Sequence, residues 1–112
     1  MIHDEIVTYE VAKLAKEKGF NVPTAKNYRH ENGATCNAPT QSLLQRWLRE
    51  EKNIHIEIIA TASGYYWCIN KTNGTSITDS DVLNRGTNEG GCFDTYELAL
   101  EDVLAYSLKN LV

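Results

Sequence analysis

Ile54-His55-Ile56-Glu57-Ile58-Ile59-Ala60-Thr61, then Ala62-Ser63-Gly64, then Tyr65-Tyr66-Trp67-Cys68-Ile69-Asn70-Lys71 is the stretch whose reading decides the fold. Ile54, Ile56, Ile58 and Ala60 alternate with His55, Glu57, Ile59 and Thr61, which is the period of a half-buried strand. A two-residue turn at Ser63-Gly64 into Tyr65 to Lys71 closes a hairpin and pairs Ala60 with Trp67 and Ile58 with Ile69. The apolar faces of both strands then coincide, and a one-residue slip would break that agreement.

Downstream, Asn73-Gly74 signals another tight turn, returning a third strand through Thr75 to Thr78. The same counting sets Ile77 opposite Asn70, on the polar face, so this strand is expected to be short, bulged or absent. Residues 79 to 93 are rich in Gly and Asn and read as a surface loop. Asp94 then caps a last helix, with Glu97 as its capping-box partner. Tyr96, Leu100, Val103, Leu104, Leu108 and Leu111 recur at helical spacing, leaving Glu97, Glu101, Asp102 and Lys109 outside.

Upstream, a first helix is expected near 8 to 18. Thr8 caps it, Val11, Leu14 and Ala15 share one face, and Gly19-Phe20 supplies the stop. Residues 21 to 38 read as a loop or a short irregular hairpin turning at Asn32-Gly33. A second helix opens at Pro39-Thr40, carries the stripe Leu43, Leu44, Trp47 and Leu48, and stops near Lys52-Asn53. Gln41, Gln45, Arg46, Arg49 and Glu50 fall on its other sides. The sum is an α+β fold: a small antiparallel hairpin or three-stranded sheet packed against about three α-helices, with residues 1–112 as a single domain.

Composition narrows the function classes. No apolar run approaches the roughly 20 residues of a membrane span, and the acidic start lacks the pattern of a secretory signal, so the chain reads as cytoplasmic with no membrane partner. Cys36, Cys68 and Cys92 have no paired spacing and read as reduced thiols. Asn70-Lys71-Thr72 and Asn73-Gly74-Thr75 match a glycosylation acceptor, but read as turn chemistry in a cytoplasmic chain. The charge is uneven, +1 over residues 1–53 and −5 over 54–112, which argues against a simple electrostatic nucleic-acid binder.

Candidate chemistry is thin. Cys36 near His30, or Cys92 ahead of the last helix, has the elements of a thiol nucleophile, yet a small packed or exposed thiol is the plainer reading. His3, His30 and His55 lack ligand spacing, so no metal site is expected. His55 and Glu57 share a strand face that reads as solvated surface. Asp79, Asp81 and Glu89 echo a calcium loop, but Leu83 and Gly90 occupy positions that need oxygen ligands. The glycines at 86, 90 and 91 have no phosphate-loop spacing, and no cofactor is expected.

Two surfaces remain. Ile59, Tyr66 and Cys68 make a modest apolar patch on the outer hairpin face, suited to a protein partner unless the loop at 79 to 93 covers it. Lys13, Lys16, Lys18, Lys26 and Arg29, with Arg46 and Arg49 on the next helix, would meet phosphates. Helix, helix and hairpin echo a winged-helix order in which Gln41, Gln45 and Arg46 face a major groove. The separation of about 20 residues between those helices is far beyond the tight turn of that motif, and lysines at a helix end are commonly solvated charge.

Thr8-Tyr9-Glu10-Val11-Ala12-Lys13-Leu14-Ala15-Lys16-Glu17-Lys18-Gly19-Phe20, Ala38-Pro39-Thr40-Gln41-Ser42-Leu43-Leu44-Gln45-Arg46-Trp47-Leu48-Arg49-Glu50, Ile54-His55-Ile56 and Thr95-Tyr96-Glu97-Leu98-Ala99-Leu100-Glu101 occur in this order. Together they resemble a family of small uncharacterised proteins of anaerobic gut bacteria and their bacteriophages. The resemblance implies a phage or mobile-element setting and carries over no functional residues. The expectation is a non-enzymatic interaction module, an accessory protein meeting a protein partner through the hairpin face or the basic first helix. A nucleic-acid-binding domain using Lys13, Lys16, Lys18, Arg46 and Arg49 is the alternative, and a cysteine enzyme resting on Cys92 or Cys36 is the third.

Overall fold

The computed structural model describes residues 5–29, 31, 33–78, 87 and 91–112. Among them the elements run α1 (Tyr9–Glu17), β1 (Asn27–Arg29), β2 (Thr35–Asn37), α2 (Gln41–Lys52), β3 (His55–Thr61), β4 (Gly64–Asn70), β5 (Ser76–Thr78) and α3 (Tyr96–Asn110). β3, β4 and β5 form one antiparallel sheet in that order, and β1 pairs with β2 in a second. This is the expected α+β arrangement. No described helix is long and apolar enough to cross a membrane.

The hairpin forms with a different register from the expected one. Ile58 faces Trp67, Ile56 faces Ile69 and Thr61 faces Gly64, so the turn centres on Ala62-Ser63 rather than Ser63-Gly64. Neither Ala62 nor Ser63 takes the positive φ that the two favoured two-residue turns require at their first position. The positive φ falls on the residue after the turn, Gly64, with φ of 137°, as in a turn closed by a glycine bulge. The shift is two residues, which preserves every side chain's face.

β5 is present and short, one of the expected outcomes, and the correction concerns its pairing. Ile77 faces Ile69, not Asn70, so its side chain joins the apolar face. The connection is a three-residue loop: Lys71 N–H donates to Thr75 O at 2.9 Å and Gly74 N–H to Lys71 O at 3.0 Å, with Gly74 left-handed at φ 92°. That is a turn closed by a glycine bulge, and the extra residue restores the register.

Thr8 caps α1 by accepting from Val11 N–H, and the helix ends with Phe20 N–H bonded to Ala15 O and Gly19 N–H to Lys16 O, the paired bonds of a Schellman ending. Residues 21–38 hold the short β1–β2 hairpin, in which Tyr28 faces Cys36. Thr40 caps α2 through Leu43 N–H, and left-handed Asn53 follows its last residue. The α3 cap corrects the sequence reading: Thr95, not Asp94, accepts from Leu98 N–H, so Glu97 has no capping-box role. A single-residue shift suffices, because Thr95 already holds the extended conformation a cap needs.

Trp67, Leu44, Leu48, Ile54, Ile69, Leu104 and Leu108 are sealed from solvent in one core that also takes in Val7, Val11 and Phe20. Ile56, Ile58, Tyr65 and Ile77 pack against that core from the inner sheet face. Four side chains assigned to the outside are engaged within the fold. Gln41 is buried and Gln45 Nε2 donates to Ile56 O, while Glu101 and Asp102 are half-buried acceptors. Conversely Tyr96, expected on the buried stripe, is 42% exposed and meets Tyr65 edge-on. Expectations resting on His3, His30, Asn32 and most of the 79-to-93 loop fall outside the described residues.

Candidate functional site

The N-termini of two helices meet at one carboxylate of a third. Residues 5–7 run beside 39–41, with Val7 N–H donating to Pro39 O and Gln41 N–H to Glu5 O, so the capped starts of α1 and α2 lie together. Glu101, in the second turn of α3, accepts from Thr8 N–H at 2.9 Å and Thr8 Oγ1 at 2.8 Å through Oε2. Its Oε1 accepts from Gln41 Nε2 at 2.9 Å, and the same amide donates to Glu97 O at 2.9 Å. Each helix start carries a partial positive charge, so an anion is favoured at this junction and Glu101 supplies it.

Beside this knot lie two adjoining hollows. The first, of about 420 Å³, is lined by Glu5, Ile6, Thr8, Gln41, Thr95, Glu97, Leu98 and Glu101. The second, of about 300 Å³, is lined by Thr8, Glu10, Val11, Phe93, Leu98, Glu101, Asp102 and Ala105. Leu98, Thr8 and Glu101 belong to both, so the hollows form one open trough across the N-terminal half of α3. Leu98 is 51% exposed, the most exposed large apolar side chain among the described residues. Five carboxylates line the trough, from Glu5, Glu10, Glu97, Glu101 and Asp102, without Lys or Arg among the described lining residues. They do not gather into any described group able to hold a metal ion.

Asp102 has a further partner: Trp67 Nε1 donates to its Oδ2 at 2.9 Å while Tyr106 packs on the indole, ring centroids 5.4 Å apart. The polar tip of a fully buried tryptophan is thereby satisfied. This bond ties the sheet to the same turn of α3 that carries the trough.

The patch singled out on the hairpin lies where the alternation puts it. Ile59 and Tyr66 are directly opposed, and Cys68 follows on the same face opposite Glu57 and Thr78. All three are half-buried, and none packs on the core cluster. Cys68 Sγ lies 3.6 Å from Ser76 Oγ.

The basic residues are placed on separate helices and partly committed to the fold. Lys16 Nζ donates to Thr35 O at 2.9 Å and Lys18 Nζ to Val112 O at 3.2 Å. Arg46 pairs with Glu50 at 3.1 Å, while Lys13 and Arg49 are exposed. α1 and α2 each pack on α3, and the β1–β2 hairpin intervenes between them in the chain. This differs from the helix pair of a winged-helix order, and buried Gln41 and bonded Gln45 do not face a groove. Of the cysteines, Cys36 is buried against the core and Cys92 lies 3.7 Å from Thr61 Oγ1.

Leu98 and the Glu101 junction were not singled out from sequence. A signal existed for the first: Leu98 sits about 200° around the helix from Leu100, off the buried stripe and between two acids. No signal in the local pattern joins Glu101 to Thr8 and Gln41, which lie 93 and 60 residues away.

No family model, curated protein or solved structure matches the chain.

Proposed function

We propose that this chain is a non-enzymatic interaction module that receives a protein partner in the trough between the start of α1 and the first two turns of α3. The observation that carries the reading is Leu98, half in solvent at the seam of two adjoining hollows. Half of this leucine's surface stays in water on a helix whose opposite face is fully buried, and covering the rest with a partner recovers about 1 kcal/mol. The trough floor is held rigidly by Glu101, Gln41 and the two caps, so docking would need little reordering. A cytoplasmic accessory role in a phage or mobile-element setting fits this reading, with its three thiols reduced.

The test is affinity capture from a lysate of the encoding cell, with wild type, Leu98→Glu and Tyr66→Glu in parallel. The expected result is a protein retained by wild type and Tyr66→Glu and lost by Leu98→Glu. Retention that ignores Leu98, or that is lost only with Tyr66→Glu, overturns the trough as the contact surface.

A further inference from the structure

The charge of the trough decides what can enter it. The starts of α1 and α2 each carry about +0.5 of an elementary charge, and Glu101 accepts hydrogen bonds from residues at both. Against them stand Glu5, Glu10, Glu97 and Asp102 as well, so the lining is net negative by a wide margin. Glu101 and Asp102 are occupied by the Thr8, Gln41 and Trp67 donors. Glu5, Glu10 and Glu97 are exposed at the rim, and the ion pair found among the described residues, Arg46–Glu50, lies elsewhere on α2.

Between those acids the walls are apolar, with Ile6 and Leu98 in one hollow and Val11, Phe93 and Ala105 in the other. An acidic segment entering here would meet like charge at every rim position, and a purely apolar one would leave the rim carboxylates facing its backbone. An amphipathic segment with Lys or Arg beside its apolar side chains satisfies both the rim and the walls.

We infer that the occupant of the trough is a cationic, amphipathic segment of a partner protein, which sets apolar side chains on either side of Leu98 and its basic groups against Glu10 and Glu97. This rests on the interaction-module reading and specifies the chemistry of the partner. Attraction between charges of this kind speeds association and sets specificity, and it weakens as salt shortens the screening length from about 30 Å to about 8 Å.

The probes are fluorescently labelled synthetic peptides in which Leu or Phe is interspersed with Lys, and counterparts with Glu in place of each Lys. Anisotropy titration and amide-shift mapping are run on wild type, Glu10→Lys/Glu97→Lys, Glu10→Gln/Glu97→Gln and Leu98→Ala. The expected result is binding of the cationic peptides alone, lost progressively with salt, with shifts confined to α1's start and residues 95–105. The reversed pair should weaken it by more than about tenfold and the neutralised pair by less, since surface pairs are each worth up to about 1 kcal/mol. The neutral variants keep the test valid where lysines in the first helical turns cost stability.

Equal binding of both peptide classes, no binding of either, or affinity untouched by both charge pairs overturns the inference. Failure of the two readings is distinguishable. A native partner that depends on Leu98 but not on Glu10 and Glu97 leaves the module standing and removes its cationic partner, whereas loss of Leu98 dependence removes both.

Discussion

Leu104 and Leu98 stand less than two turns apart on α3, one wholly sealed and the other 51% exposed. From Val103 onward the helix packs Val103, Leu104 and Leu108 into the core, close to the Trp67–Tyr106 stack. The earlier turns bury Ala99 and Leu100 in the same core but turn Tyr96 and Leu98 outward, and a set of hydrogen bonds at Glu101 adds to their link with α1 and α2. The later half of the helix is held by packing, and the earlier half by the packing of Ala99 and Leu100 together with a polar junction that leaves a trough open beside it. Packing leaves no surface for recognition, whereas a hydrogen-bonded junction fixes geometry and still exposes side chains.

The comparison breaks most severely at the packed end. Trp67→Ala removes the largest fully buried side chain and strands Asp102 without its indole donor, so a loss of about 3–5 kcal/mol is expected in urea unfolding. Leu104→Ala should cost about 2–5 kcal/mol in the same measurement, against a change within about 0.5 kcal/mol for Leu98→Ala. Comparable costs for the two leucines would erase the distinction drawn between the halves.

Next comes the junction. Glu101→Ala deprives the Thr8 amide and hydroxyl and one Gln41 donation of their acceptor, so about 1–3 kcal/mol should be lost, with faster amide exchange at residues 8–12 and 41–44. Uniformly faster exchange through α3's last turns would instead place Glu101 in the core's cooperative unit. Smaller still is the cap: Thr95→Ala should lower stability by about 1 kcal/mol, and Asp94→Ala by less than about half as much. The reverse order would restore Asp94 as the cap.

The smallest effect has the opposite sign. Ser107 is buried in the packed half, and its Oγ is the described buried side-chain polar atom left without a hydrogen-bond partner. Ser107→Ala removes an unpaid desolvation and improves helix propensity, so thermal unfolding should move up or stay level. A clear drop in Tm would show that the hydroxyl is satisfied in solution.

How much was legible can be read at particular residues. Alternation and helical spacing are local, and they specified β3, β4, all three helices and the α+β class, together with which face of the hairpin is apolar. The parity argument held even though the pairing moved by two residues, because faces depend only on odd or even offset. The register itself depended on which residues accept positive φ, and Gly64 and Gly74 took it where simple counting had put the turns differently. Gln41 and Glu101 looked like ordinary surface positions on amphipathic helices.

By itself the chain's pattern of apolar and polar residues therefore determined the elements, their order, and the placement of Ile59, Tyr66 and Cys68 on the outer face. Tertiary structure alone decided that the starts of α1 and α2 converge on Glu101, that Trp67 finds Asp102, and that Leu98 opens onto an acid-rimmed trough. Short-range periodicity encodes which side of an element is greasy. Which distant polar groups will meet is set only when the whole core has packed, so no window along the sequence holds that information.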